Sequence, residues 1–139
     1  MKKKLGIAFA ACAFLSYQAQ SRTFSDVVIL ESGVNAKPND ELLNKECKAF
    51  KPTASQVENF LAKADPAPHR FGLHERYSPC YASGTAQYSG FGRVTWSINS
   101  GGFGALNWGG EEYVYLFHKR NGWVDPTACT YGLGDEGEC

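Results

Sequence analysis

One stretch limits what this chain can fold into: Cys80 to His118, reading CYASGTAQYSGFGRVTWSINSGGFGALNWGGEEYVYLFH. Within it Arg93–Asn99 alternates, with Val94, Trp96 and Ile98 on one side and Arg93, Thr95, Ser97 and Asn99 on the other. That is the period of a half-buried strand. Tyr113–Phe117 is apolar at every position and predicts a central strand covered on both faces. Gly101-Gly102 and Gly109-Gly110 punctuate the stretch as turns do. Four strands are expected, over Ala82–Tyr88, Arg93–Asn99, Gly104–Asn107 and Glu112–His118. Their short spacing predicts an antiparallel meander. Aromatics at 14% of the chain and 15 glycines favour the same reading, β structure with tight turns.

Upstream, Phe24–Leu30 predicts a first strand, and the loop after it holds at most one helical turn at Glu41–Asn44. The clearest helix starts at Thr53. Thr53 and Gln56 have the spacing of a capping box. Val57, Phe60, Leu61 and Ala64 then recur at i, i+3, i+4 and i+7 as one apolar face, and Asp65-Pro66 stops the helix. Such a short helix is marginal alone and needs the sheet to bury it. Residues 66–79 predict an irregular connector with a short edge strand at Arg70–His74. Asn121-Gly122 predicts a turn leading to Trp123-Val124. The class expected is therefore α+β, with an antiparallel sheet of about four to six strands packed with one main α-helix.

Residues 1–21 have the pattern of a secretory signal peptide. Lys2–Lys4 form the basic start, Leu5–Leu15 the apolar run, and Ala19-Gln20-Ser21 the small-residue exit. Cleavage after Ser21 is expected, with Ala19 as the alternative point. Ala10-Ala11-Cys12 also has the outline of a lipoprotein signal, in which Cys12 becomes lipidated. Phe9 and the apolar continuation through Leu15 argue against it. The apolar run is too short to span a bilayer. Residues 22–139 form one expected domain, periplasmic or secreted, with no transmembrane segment once the leader is removed.

Beyond the leader lie Cys47, Cys80, Cys129 and Cys139. An even number in an exported chain predicts two disulfides. Four cysteines allow three connectivities, and spacing alone selects none. The pairing expected is Cys47–Cys80, which closes a loop around the capped helix, and Cys129–Cys139, which ties down a glycine-rich acidic tail. No Cys-x-x-Cys pair points to zinc.

The formal net charge is zero, with 14 cationic and 14 acidic side chains. Lys2–Lys4 lie in the leader, so the remainder is weakly acidic. A chain without a Lys/Arg stripe is poorly suited to nucleic acid. Catalytic signatures are missing as well. His74-Glu75 begins a His-Glu-x-x-His pattern, but Ser78 stands where the second histidine belongs. Gly102-Phe103-Gly104 begins a dinucleotide fingerprint, but Asn107 stands where a glycine is needed. Asp65, His69, His74 and Glu75 form a loose set that a metal would need gathered; a solvated polar loop explains them more simply. His118 has the titration range of a general base but no evident partner. No cofactor or metal is expected.

The run Ser100–Gly110 sets Phe103 and Trp108 among glycines, and both are candidate partner contacts. Phe103 or Leu106 is expected to turn into the core; Trp108, between Asn107 and Gly109, is the more exposed anchor. Aromatics on glycine-rich hairpins serve as core plugs or as binding anchors.

The run from Cys47 through Lys-Ala-Phe-Lys-Pro-Thr-x-x-Gln-Val to Phe60, Leu61 and Ala64, then Ser78-Pro-Cys80-Tyr-Ala-x-Gly84, Trp96-Ser-Ile98 and Gly101-Gly102, resembles a group of small uncharacterised exported proteins of Gram-negative bacteria. The resemblance covers about residues 47–118. It implies a periplasmic or surface location and brings no activity and no functional residues. The leading expectation is a small exported binding protein that recognises another protein, as an inhibitor or immunity factor does. The alternatives are a small envelope-directed hydrolase with His118 or His74 as base, and a ligand-binding or structural module.

Overall fold

A computed structural model of the chain describes residues 22–74 and 76–128. Six strands form one antiparallel sheet: β1 (Phe24–Asn35), β2 (Asp65–Pro66), β3 (Cys80–Tyr88), β4 (Gly92–Asn99), β5 (Phe103–Asn107) and β6 (Tyr113–Phe117). Their order across the sheet is β1-β3-β4-β5-β6-β2. The meander expected from the turn spacing is the β3-β4-β5-β6 run. β1 borders it on β3, and the two-residue β2 borders it on β6.

Among the described residues three helices accompany the sheet: α1 (Glu41–Cys47), α2 (Ala54–Lys63) and α3 (His69–Leu73). The α+β class is as expected. α1 begins at Asp40, whose carboxylate accepts from the Leu43 amide, and runs longer than the single turn predicted. α2 carries the full capping box: Gln56 N–H donates to Thr53 Oγ1 at 3.2 Å, and Thr53 N–H to Gln56 Oε1 at 2.9 Å. Its Val57, Phe60 and Leu61 are buried. They pack on the face formed by Ala82, Ala86, Val94, Trp96, Ile98, Leu106 and Leu116. Period 2 on the strands and period 3.6 on the helix put both apolar sets into one core.

The disulfide Cys47–Cys80 is present, with Cα atoms 4.9 Å apart across a sequence separation of 33. It ties the end of α1 to the start of β3. The second pairing expected, Cys129–Cys139, lies outside the described residues, as do the leader and Cys12. Among the described residues no helix is long and apolar enough to cross a membrane.

Two local expectations are overturned. Arg70–His74 is not an edge strand: residues 69–73 form α3. Pro68 presets the backbone at its N-cap with φ −69°. Gly72 lets the turn settle on the Phe103 ring; a Cβ there would stand 2.2 Å from Phe103 Cδ1. The edge is formed instead by Asp65–Pro66, where a proline without an N–H is tolerated. Nor is Tyr113–Phe117 covered on both faces. Tyr113 and Val114 are exposed, while α3 covers only the far part of the strand, with His69 stacked on Tyr115 and Phe71 against Phe117. Tyr113 lies 6.2 Å from Tyr115, and Tyr115 lies 5.7 Å from Phe103.

Candidate functional site

In a meander, the first and third turns fall at the same end of the sheet. Here these are the β3–β4 turn at residues 89–91 and the β5–β6 connection at residues 108–112. Each carries an aromatic beside glycine. Phe91 sits between Gly90 and Gly92, and Trp108 precedes Gly109. These three glycines have φ of +81°, +88° and +95°, a region that residues with a Cβ seldom enter. Phe91 is 66% exposed and Trp108 39%.

Tyr88 joins them. Its ring stacks on Phe91 at 4.6 Å and lies 6.1 Å from Trp108. On its other side it stacks at 4.5 Å on Phe24, which is buried. The cluster is thus an exposed aromatic surface rooted in the core by Phe24. Asn107 holds the Trp108 turn in shape: its side-chain amide donates to the Gly110 and Glu112 carbonyls, and its Oδ1 accepts from the Gly109 amide. Glu111 and Glu112 are exposed beside it, supplying a polar rim.

Phe103 does not join Trp108. It is half-buried on the opposite face, between Tyr115 and α3. Leu106 is the residue of this run that enters the core. Sequence reasoning missed Phe91 and Tyr88. The signal for Phe91 was in plain view: it lies between Gly90 and Gly92, as Trp108 lies beside Gly109.

The candidate bases are placed apart. His118 is half-buried with its ring 6.3 Å from Phe60, and its carbonyl accepts from Asn121 Nδ2. His74 ends α3, and His69 stacks on Tyr115 at 4.5 Å. Asp65 is exposed in β2. Glu75 lies outside the described residues, among which no three His, Cys, Asp or Glu stand together as metal ligands.

A serine–aspartate pair does exist at the other end of the sheet. Ser100 Oγ donates to Asp125 Oδ1 at 2.7 Å and lies 2.6 Å from Ser78 Oγ; Ser78 Oγ lies 3.1 Å from Thr127 Oγ1. Ser100 is 1% exposed and Thr127 fully buried. With Ser100 and Thr127 buried and their hydroxyls engaged by Asp125 and Ser78, the network reads as a polar clamp. It fastens residues 123–128 to the β4–β5 turn, helped by Trp123 Nε1, which donates to the Ser100 carbonyl at 3.0 Å. Ser100 and Asp125 also line a cavity of about 270 Å³, together with Arg76, Lys119 and Trp123.

Set against known proteins, the chain matches no family model, no curated protein and no solved structure.

Proposed function

We propose that this chain is an exported binding protein, periplasmic or secreted, that recognises another protein through Trp108, Phe91 and Tyr88, in the manner of an inhibitor or immunity factor. The observation that carries the reading is the gathering of two exposed aromatics, from two separate hairpins, on a third that is anchored in the core. Tyrosine and tryptophan bury large areas at small entropic cost, and such residues dominate binding where they cluster inside a polar rim. The leader pattern and the disulfide support the location.

The test is affinity capture from an envelope extract, comparing the wild-type chain with a Phe91→Ser/Trp108→Ser variant. Wild type is expected to retain a stoichiometric protein partner. The variant is expected to bind that partner at least tenfold more weakly, with a melting temperature within about 4 °C of wild type, because both side chains are exposed. A partner held equally well by both chains refutes the assignment of the surface.

A further inference from the structure

The sheet face turned away from α2 carries a second site. A groove of about 290 Å³ crosses it, with Leu30 at one end, Ser83, Thr95, Ser97 and Ala105 along the floor, and Tyr113 at the other end. The register lays the floor out as transverse rows. Glu31, Ser83, Ser97, Ala105 and Tyr115 are successive cross-strand partners, as are Val28, Thr85, Thr95, Asn107 and Tyr113. Five strands at the usual spacing give a run of about 19 Å.

The chemistry of this groove is narrow. Its floor is made of small side chains and three hydroxyls, each able to donate and to accept. At the β1 end the Glu31 carboxylate accepts from Ser83 Oγ at 3.2 Å. At the β6 end Tyr113 presents a ring that is 54% exposed. That ring is braced by Tyr115, which is stacked in turn on His69 and Phe103. The residues that line the groove are uncharged, and the Glu31 carboxylate stands at its rim beside Ser83.

We infer that the groove binds a neutral oligosaccharide. A sugar ring has an apolar C–H face for Tyr113 and a rim of hydroxyls for Ser83, Thr95 and Ser97, and Glu31 can accept from adjacent sugar hydroxyls in a charge-assisted bond. The competing ligands fit less well. An extended peptide docks on sheet edges, where main-chain N–H and C=O groups are open; β3, β4 and β5 spend theirs on ladders at both sides. An acyl chain would cover the Ser97 hydroxyl and give it nothing to bond, at about 1–3 kcal/mol, and would gain nothing from Ser83 and Thr95, which donate to Glu31 and to the Asn107 carbonyl. An anionic glycan would meet the Glu31 carboxylate and no lining cation.

The site lies on the opposite face from Trp108, so it stands or falls independently of the proposed protein partner. The experiment is titration of the full chain with maltohexaose, cellohexaose and chitohexaose, followed by nuclear magnetic resonance shifts of the groove amides. At least one is expected to bind saturably, with shifts at Ser83, Ser97 and Ala105. Tyr113→Ala is expected to weaken binding at least tenfold and Glu31→Gln several-fold. Ala105→Phe should abolish it by filling the floor, while Leu42→Ser on the exposed side of α1 leaves it unchanged. The melting temperature of each variant shows that it is folded. Failure of all three sugars at millimolar concentration overturns the inference. So does binding that survives both Tyr113→Ala and Ala105→Phe, or an uncharged peptide or a fatty acid that shifts the same amides when the sugars do not.

Discussion

Removing the Cys47–Cys80 bond is expected to cost more than any single surface change, and the size follows from its place in the chain. The bond closes a loop with a sequence separation of 33 that contains α2, β2 and α3. Cross-linking such a loop removes denatured-state entropy worth about 3.7 kcal/mol at 25 °C in the chain-entropy model. Both cysteines are fully buried, so Cys47→Ala/Cys80→Ala also forfeits a small packing contribution. For a domain of this size about 1 kcal/mol shifts the melting temperature by about 4 °C. The double variant should therefore melt about 15 °C below wild type. Its urea m-value should rise, because an uncrosslinked chain exposes more surface on unfolding. Calorimetry and urea titration under oxidising conditions measure both quantities. A shift below about 4 °C, with m unchanged, would refute the loop-entropy argument and leave the bond a bystander to packing.

Two further changes probe the sheet and the helix it supports. Gly84→Ala places a Cβ 1.9 Å from the Val28 carbonyl oxygen and 2.8 Å from Trp96 Cζ2. It should cost at least the upper end of the about 1–3 kcal/mol typical of overpacking, read as a drop of about 12 °C or more in melting temperature; a drop under 4 °C would show that β1 gives way freely. Thr53→Ala removes the hydroxyl that caps the Gln56 amide and should cost about 1 kcal/mol, measured by urea denaturation, with no loss meaning that water caps α2 equally well.

The parts of the fold legible in the sequence are those fixed by near neighbours. Thr53 and Gln56 are three residues apart, so their reciprocal capping is a local event. Val94, Trp96 and Ile98 share a face by the geometry of any strand, and the covering helix follows from its own apolar stripe. What was misread depends on distant partners. α3 replaces a strand because Gly72 fits against Phe103, thirty-one positions away in sequence. The long β1 pairs with β3 through register shifts after Ser25, Ile29 and Glu31. At the first of them Asp26 takes φ of 50°, a conformation that an aspartate tolerates better than most residues. β6 looked doubly covered along its whole length because apolar composition does not show how far α3 reaches: His69 and Phe71 lie against Tyr115 and Phe117, while Tyr113 and Val114 stay exposed.

The candidate site was half legible, and the missing half is a matter of topology. Phe103 and Trp108 look like companions because a few residues separate them. β5 runs between them, however, so the two Cα atoms stand about 17 Å apart along the strand. An odd sequence difference in a strand also points them to opposite faces. Phe103 accordingly lies against Tyr115 and α3. Trp108 meets Tyr88, which is distant in sequence but sits at the same end of the sheet, since a meander returns to that end with every second turn. The same alternation sends the β4–β5 turn to the far end, where Ser100 meets Asp125 and Trp123. Applied to the sequence, the rule pairs Phe91 with Trp108 and parts Trp108 from Phe103. On that reasoning Phe103→Ala should disturb the seating of α3 and the Tyr113 end of the groove, while leaving the hairpin-tip surface as it is.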